Sequence, residues 1–357
     1  MKIISVILFP FSILYGIIGA IRNFLFNNNL LKSQSFDVPV ISVGNLSFGG
    51  TGKTPQVEYL IRLLSGSFSI ATLSRGYKRK SKGFAEGHVN STCAEIGDEP
   101  LQYKTKFPEI LVAVCEDRCG GVRNILKLKK EIHCILLDDA FQHLSIKAGL
   151  NILLTDYSKM YYNDFVVPSG TLREFRCGAR RADIIVVTKC PKNISEGQRK
   201  NIIKKIRPLK HQHVFFSFIE YSQFTLFSNH AVIKSFDLNT SVLLFSGIAN
   251  TEPLVEYLRE NKFETKVMKF SDHHQYSTAD LHKVRESFNN IAAEDKVIIT
   301  TEKDAVRIES PELKEILKGL PVYFIPIITD FFPIDKETFN KQIIDYVTNA
   351  RKNQGNH

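Results

Sequence analysis

A chain of 357 residues with 43% hydrophobic and 24% charged residues has the length of about two domains and the composition of a globular protein, which excludes a disordered tail, a collagen-like fibre and a small disulfide scaffold. Lys and Arg outnumber Asp and Glu by 47 to 37, a net charge of +10 that points to an anionic partner: nucleic acid, a membrane surface or a phosphorylated substrate. The six cysteines form no CxxC pair and no regular spacing, the pattern of free thiols in a reducing cytosol rather than of a zinc site or a secreted framework.

Residues 3–21 carry no charge and are mostly apolar, between Lys2 and Arg22. A run of about 19 residues could just cross a hydrocarbon core, which takes roughly 20. Pro10, Gly16 and Gly19 interrupt it as a straight spanning helix, and neither a strongly basic start nor an A-x-A site marks it as a cleaved leader. The other membrane reading is a helix lying in the interface, with Arg22 and Lys32 near anionic headgroups. Either way residues 1–30 are expected to form an N-terminal membrane-associated helix, against the plainer reading of a helix buried in the fold.

After Asn27, Asn28 and Asn29, short apolar runs alternate with helical patterns. Residues 38–43, 69–73, 110–114, 132–137, 152–154 and 184–187 read as buried strands, and 55–64, 118–130 and 194–206 as helices. Continuous apolar strands alternating with helices mean a parallel sheet covered on both faces. A polar, irregular stretch over 221–239 precedes a second series. Its strands are expected at 242–245, 265–270, 297–300 and 322–325, and its helices at 254–260, 279–289 and 338–351. The expected architecture is therefore α/β, a P-loop NTPase-like domain at 31–225 followed by a smaller α/β domain at 226–357.

The segment Gly44-Asn45-Leu46-Ser47-Phe48-Gly49-Gly50-Thr51-Gly52-Lys53-Thr54 follows the first strand and opens a helix, the context a phosphate loop requires. Backbone N–H groups of Ser47, Phe48, Gly49, Gly50, Thr51 and Gly52 would approach phosphate oxygens at a helix N-terminus. Lys53 would neutralise the β- and γ-phosphates of ATP, and the Thr54 hydroxyl would ligate Mg²⁺. Ser47 replaces the first Gly of G-x-x-x-x-G-K-[ST], with Gly49-Gly50 supplying flexibility. The strand at 132–137 ends in Asp138-Asp139, where a carboxylate points into the crevice that binds ligands. Adjacent strand residues face opposite ways, so one of the two is expected as a direct metal ligand unless the strand has already ended.

Three further clusters are unremarkable singly. Gly97-Asp98-Glu99-Pro100 reads as an acidic turn with a capping Asp. Arg173-Glu174 reads as a surface ion pair, or as a phosphate clamp beside a carboxylate. Asp272-His273-His274 would supply a base with its orienting carboxylate, and lacks the third ligand of a zinc site.

Taken in order, these motifs resemble those of the tetraacyldisaccharide 4′-kinase (lipid A 4′-kinase) family of Gram-negative bacteria. The resemblance is carried by Val43-Gly44-Asn45 through Lys53-Thr54-Pro55, Ser74-Arg75-Gly76-Tyr77, Gly97-Asp98-Glu99-Pro100 and Asp138-Asp139-Ala140-Phe141-Gln142-His143. It continues through Leu172-Arg173-Glu174, Asp272-His273-His274 and Thr301-Glu302-Lys303-Asp304-Ala305. Ala140 stands where the family commonly has Gly, and Phe175 where Pro is common; neither removes a functional group.

The resemblance implies transfer of the ATP γ-phosphoryl group to the 4′-hydroxyl of a tetraacyldisaccharide 1-phosphate, on the cytoplasmic face of the inner membrane. It implies Asp98 as general base paired with His273, or less directly His274, across the boundary near residue 225. It further implies Arg173 for charge neutralisation, and Glu99, Asp138, Asp139 and Glu174 with Thr54 around Mg²⁺. The expected partners are the lipid disaccharide and an anionic membrane surface, with no nucleic acid and the chain acting as a monomer. Lys78, Arg79, Lys80 and Lys82 would meet substrate phosphate or headgroups, or be a solvated loop. The competing class is a membrane-recruited P-loop ATPase switch, which needs no lipid acceptor; a nucleic-acid binder has only the charge in its favour.

Overall fold

The computed structural model describes residues 3–129, 131–233, 235–237 and 240–354; Lys2 and the last residue of the expected helix at 118–130 lie outside them. The chain divides into two compact units, 1–219 with 329–357, and 220–328.

In the first unit, α1 (Ile3–Ile7) and α2 (Phe9–Asn27) lead into β1 (Val40–Asn45). The break before α2 comes from Pro10, whose missing N–H is harmless only in a helix's first turn. There follow α3 (Lys53–Leu64), β2 (Ile70–Ser74), β3 (Ala85–Gly87), α4 (Cys93–Ile96), α5 (Asp98–Lys106), β4 (Leu111–Val114) and α6 (Arg118–Leu128). Then come β5 (Cys134–Asp138), β6 (Leu150–Asp156), β7 (Ile184–Thr188), α7 (Glu196–Ile206) and β8 (His213–Tyr221). Among the described residues the first sheet has the order β15-β8-β7-β6-β1-β5-β2-β4-β3, where β15 is Ile327–Phe331. The strands from β8 through β4 pair in parallel, and β3 is antiparallel to β4.

β1 sits at the middle, with β5 on one side and β6 on the other, so the chain winds away from it in both directions. This is the switch point at which open α/β sheets leave a crevice beyond their strand ends. Both sheet faces are covered. Val43, Leu60, Ile61, Leu136 and Val186 belong to the core on one face, while Leu73, Val122, Ile125 and Leu137 belong to a core on the other. The expected parallel sheet with helices on both faces is what the structure contains.

The second unit carries β9 (Phe224–Leu226), β10 (Val232–Ile233), β11 (Ser241–Ser246), α8 (Glu252–Glu260), β12 (Glu264–Lys269), α9 (Thr278–Asn289), β13 (Lys296–Thr301), α10 (Glu302–Arg307), α11 (Pro311–Leu317) and β14 (Val322–Ile325). Its sheet order is β10-β9-β14-β13-β11-β12, parallel from β14 through β12, with β9 antiparallel to β14. The stretch expected to be irregular thus holds two short strands, of which β10 is the sheet's edge.

The expected C-terminal domain of 226–357 needs a correction at its far end. The helix α12 (Pro333–Gln354) belongs to the first unit. Its Phe339, Ile343 and Val347, one stripe at a spacing of four, are fully buried in the core that also holds Val57 and Leu64. The Tyr346 hydroxyl donates to the Val40 carbonyl (3.1 Å), and Tyr59 donates to Asn340 Oδ1 (2.7 Å). The 3.6-residue pattern was visible in the sequence, but the pattern does not say which sheet it covers.

Candidate active site

The phosphate loop joins β1 to α3 at the sheet's switch point. Gly49 and Gly52 have φ of 114° and 83°, a region open to glycine at little cost. A side chain at Gly44 would collide with Phe141, which sits 2.7 Å from where its Cβ would be. The loop is stitched on both flanks. The Phe48 N–H donates to Thr171 O (2.7 Å) and the Arg173 N–H to Leu46 O (2.6 Å). On the other side Thr188 donates its hydroxyl to Thr51 O (2.8 Å), and the Lys189 ammonium bonds Gly50 O and Asp156. Asn45 Nδ2 donates to Thr51 Oγ1 (2.7 Å) beneath the loop. Ser47, in place of the usual glycine, is buried where it bridges to Leu172.

Lys53 and Thr54 are the first two residues of α3. Lys53 Nζ lies 3.6 Å from Asp139 Oδ1, and the Thr54 hydroxyl donates to Glu99 Oε1 at 3.0 Å. Arg173 donates to Asp139 Oδ1 (2.8 Å), lies over the Phe48 ring (4.8 Å to its centroid), and keeps a buried Nε with no hydrogen-bond partner. The strand has indeed ended at Asp138: Asp139 has φ of 49°, a left-handed conformation that Asp tolerates. That turn lets both carboxylates feel Lys53. Burial works to raise the Asp139 pKa, but the charges of Lys53 and Arg173 outweigh it and hold the carboxyl below its usual range.

Asp138 is the opposite case. It is fully buried, one oxygen accepts from Tyr103 Oη (3.0 Å), and Oδ1 has no partner. Burial first, then the charges of Glu99 and Asp139, push its pKa up to about 7 against the pull of Lys53. The folded value lies above that of an unfolded Asp, so the neutral form's stabilisation is complete below about pH 4 and lost as pH rises through about 7. Asp138→Asn is therefore expected to stabilise the nucleotide-free protein by up to about 4 kcal/mol at pH 8, at 1.36 kcal/mol per unit. Near pH 4 the gain should vanish. Denaturant unfolding at the two pH values tests this, and an equal difference at both would remove Asp138 as the cause.

A long-range clamp positions the remaining carboxylates. Gly97 (φ 91°) opens α5, and a side chain there would press on Tyr77 O (3.1 Å) and Gly76, so two motifs distant in sequence lie against each other. Buried Glu58 of α3 accepts from Gln102 (2.8 Å) and Lys106 (2.8 Å), tying α5 to the helix that follows the loop. Asp98 and Glu99 sit at the α5 N-terminus, where the helix dipole favours negative charge. The acidic turn of the sequence is thus the start of a helix. Tyr103, four residues after Glu99 and so on the same helix face, is a site residue that the sequence reading missed because the helix itself went unread.

Glu174 does not stand with the other expected Mg²⁺ carboxylates. Its Oε1 accepts from Arg181 (2.6 Å) and Gln142 (3.0 Å), and its Oε2 from Arg181 (2.8 Å) and Asn23 (2.7 Å). All four acceptor directions are in use, because Arg181 presents its fork to the carboxylate bidentately. Glu174→Ala should cost about 3 kcal/mol in unfolding free energy, the usual loss on breaking a buried pair. It should leave the Mg²⁺ concentration for half-maximal activity unchanged; a raised requirement would return Glu174 to the metal. Arg79 likewise departs from expectation: it is buried against Glu116 (2.6 Å) rather than turned to headgroups.

The described residues contain no cluster of three or more His, Cys, Asp or Glu spaced to hold a metal by themselves. Mg²⁺ in nucleotide sites takes one or two protein oxygens plus phosphates and water, and hard oxygen donors are what Thr54, Glu99 and Asp138 offer. The unpartnered Asp138 Oδ1 fits that use. In the second unit, His274 lies against Asp280 (3.0 Å), the residue that also bonds the Ser277 cap of α9, whereas His273 is held by Arg307 (3.0 Å).

A Gly-rich loop between the central strand and a helix, a Lys-Thr pair opening that helix, and an Asp ending the adjacent strand define a P-loop nucleotide-binding protein. The family model of tetraacyldisaccharide-1-P 4′-kinase matches residues 4–348. The chain belongs to the tetraacyldisaccharide 4′-kinase family. It is 47% identical over 348 residues to the tetraacyldisaccharide 4′-kinase of Flavobacterium johnsoniae, covering 97% of this chain and 98% of that one. It is 42% identical over 359 residues to that of Bacteroides thetaiotaomicron, covering 97% and 94%. The LpxK of Aquifex aeolicus, solved in complex with ATP, is similar with a TM-score of 0.75 at 29% identity, over 97% of this chain and 99% of that one.

Proposed function

We propose that the protein transfers the γ-phosphoryl group of ATP to the 4′-hydroxyl of tetraacyldisaccharide 1-phosphate, the step that forms the 4′-phosphorylated lipid A precursor. The observation that carries this reading is the convergence of Lys53, Thr54, Glu99, Asp138, Asp139 and Arg173 beside the phosphate loop in a member of this kinase family. The loop from Ser47 to Gly52 binds and orients the triphosphate, and Lys53 and Arg173 neutralise charge on it. Thr54, Glu99 and Asp138 would hold Mg²⁺, with Asp139 kept ionised nearby by Lys53; bound there, the ion supplies further charge neutralisation. Asp98 takes the 4′-hydroxyl proton as the new O–P bond forms and the bond from γ-phosphorus to the bridging oxygen breaks, releasing ADP. His273 is the further residue assigned to this chemistry.

The test is transfer of labelled γ-phosphate from ATP to detergent-dispersed tetraacyldisaccharide 1-phosphate, with Lys53→Ala as control. A labelled lipid that requires Mg²⁺ and disappears in the control is the expected result. Phosphate release without labelled lipid would assign the chain to ATPase switches instead.

The protein acts at a membrane surface, with α2 lying in the interface rather than spanning it. Among the described residues one helix, Phe9–Asn27, is apolar and long enough to cross a membrane by length and composition. Its inward stripe supports the surface mode: Ser12 and Gly16 are buried, Ser12 Oγ donates to Ser169 Oγ (2.8 Å), and Phe175 takes the space a Gly16 side chain would need. The Phe175 that departs from the family's pattern thus has its seat on Gly16. Large apolar residues point the other way, with Phe11, Leu14 and Ile18 each about 60% exposed. Such an inverted helix, polar inward and apolar outward, suits a lipid surface. The cytoplasmic leaflet is the side where ATP is available. Leu14→Asp with Ile18→Asp is expected to reduce flotation with anionic phospholipid vesicles about tenfold or more, each change removing roughly 1.5 kcal/mol or more of burial; unchanged flotation would overturn the assignment.

A further inference from the structure

The second unit contains a buried polar relay that nothing in the phosphate-loop chemistry uses. Asp304 is fully buried in the first turn of α10; its Oδ2 accepts from the Gly247 N–H (3.0 Å) and the Thr301 hydroxyl (2.6 Å). Its Oδ1 accepts from Arg307 (2.9 Å), whose side chain is only 7% exposed. Arg307 also donates to Gly247 O (2.9 Å), and its other terminal nitrogen lies 3.0 Å from His273 Nδ1. The His273 N–H donates to the same Gly247 carbonyl (3.0 Å), and His273 has φ of 54°. A side chain at Gly247 would come within 2.9 Å of His274 Cβ, so the glycine is what lets the turn at 271–274 close down on β11.

The chemistry of the Arg307–His273 contact has one sense. A guanidinium carries only donors, so Nδ1 must accept, and the proton of a neutral ring then resides on Nε2. An imidazolium would set N–H against N–H and break the bond. We propose that Arg307, fixed by Asp304, is a positioning residue that holds His273 as the neutral Nε2–H tautomer, so that His273 serves the reaction as a hydrogen-bond donor and not as the proton acceptor. This deepens the kinase reading above and rests on its use of His273. The 4′-hydroxyl proton then goes to the Asp98 carboxylate and leaves to solvent after ADP release.

The full-length protein in detergent micelles, with ¹⁵N-labelled histidine, reports the tautomer through its two ring-nitrogen shifts, His273 being assigned by its loss in His273→Ala. The wild type is expected to show an unprotonated Nδ1 and a protonated Nε2 at neutral pH. Arg307→Leu should admit the Nδ1–H tautomer and lower kcat about tenfold with the KM for ATP unchanged, and Arg307→Lys, which keeps a cationic donor, should recover part of both. A wild-type ring protonated at Nδ1 overturns the proposal whatever the variants do. So does an Arg307→Leu protein with unaltered shifts and kcat while His273→Ala is inactive. A fully active His273→Ala overturns the underlying role of His273 instead.

Discussion

Lys53→Ala is expected to lower kcat for lipid phosphorylation by about 10²–10³, the range for removing a preorganised group from transition-state charge. The size follows from what surrounds Lys53. It opens α3 directly after the left-handed Gly52, so its ammonium is delivered at the helix N-terminus where the phosphates would sit. It is also the cation that works against the burial of Asp138 and helps hold Asp139 ionised. Removing it leaves Glu99, Asp138 and Asp139 facing an anionic nucleotide with Arg173 still paired to Asp139. Affinity for ATP should therefore fall together with kcat. Lys53→Arg is not a conservative rescue, because a broad planar fork replaces a compact point charge. Steady-state kinetics and ATP titration of both variants decide it; a Lys53→Ala kcat within threefold of wild type would remove Lys53 from the transition state.

Asp98→Ala should lower kcat by about 10² or more while leaving the Kd for ATP within about threefold. Asp98 stands at the start of α5, whose position comes from the Glu58 and Tyr103 contacts farther along the helix, so its loss should not move the loop. Asp98→Asn separates two roles: it keeps size and hydrogen bonding but cannot accept the proton, so it should be as impaired as Ala. If His273 works through Asp98, the double variant Asp98→Ala with His273→Ala should be scarcely worse than Asp98→Ala alone, the non-additivity of groups that act as a unit. Unchanged kcat in Asp98→Ala would take that residue out of the chemistry; full additivity would uncouple it from His273.

Lys53 was legible in the sequence for a local reason, whereas the role given to Asp98 came only from the family resemblance. A phosphate loop needs contiguous glycines, a Lys and a Thr between a strand and a helix, so one short segment carries nearly all its signal. Asp138 was found because it ends an apolar strand. The acidic run at 97–100 was visible only as a turn, since two carboxylates and a proline do not announce the Gln102, Tyr103 and Lys106 contacts that make α5 a fixed platform.

The alternation of apolar runs and helical stripes likewise determined an α/β chain with a parallel first sheet, because burial on both faces leaves no other pattern for its strands. Tertiary structure alone decided matters that depend on partners far along the chain. Phe339, Ile343 and Val347 of α12 cover the first sheet and not the nearer second one. Glu174 has its acceptor directions taken up by Arg181, Gln142 and Asn23. The left-handed turn at Asp139 brings a second carboxylate to Lys53, and Arg307 reaches back 34 residues to His273. Periodicity reports which side of an element is buried; which group fills a given hydrogen bond is settled only when distant segments meet and every buried donor and acceptor must find a partner.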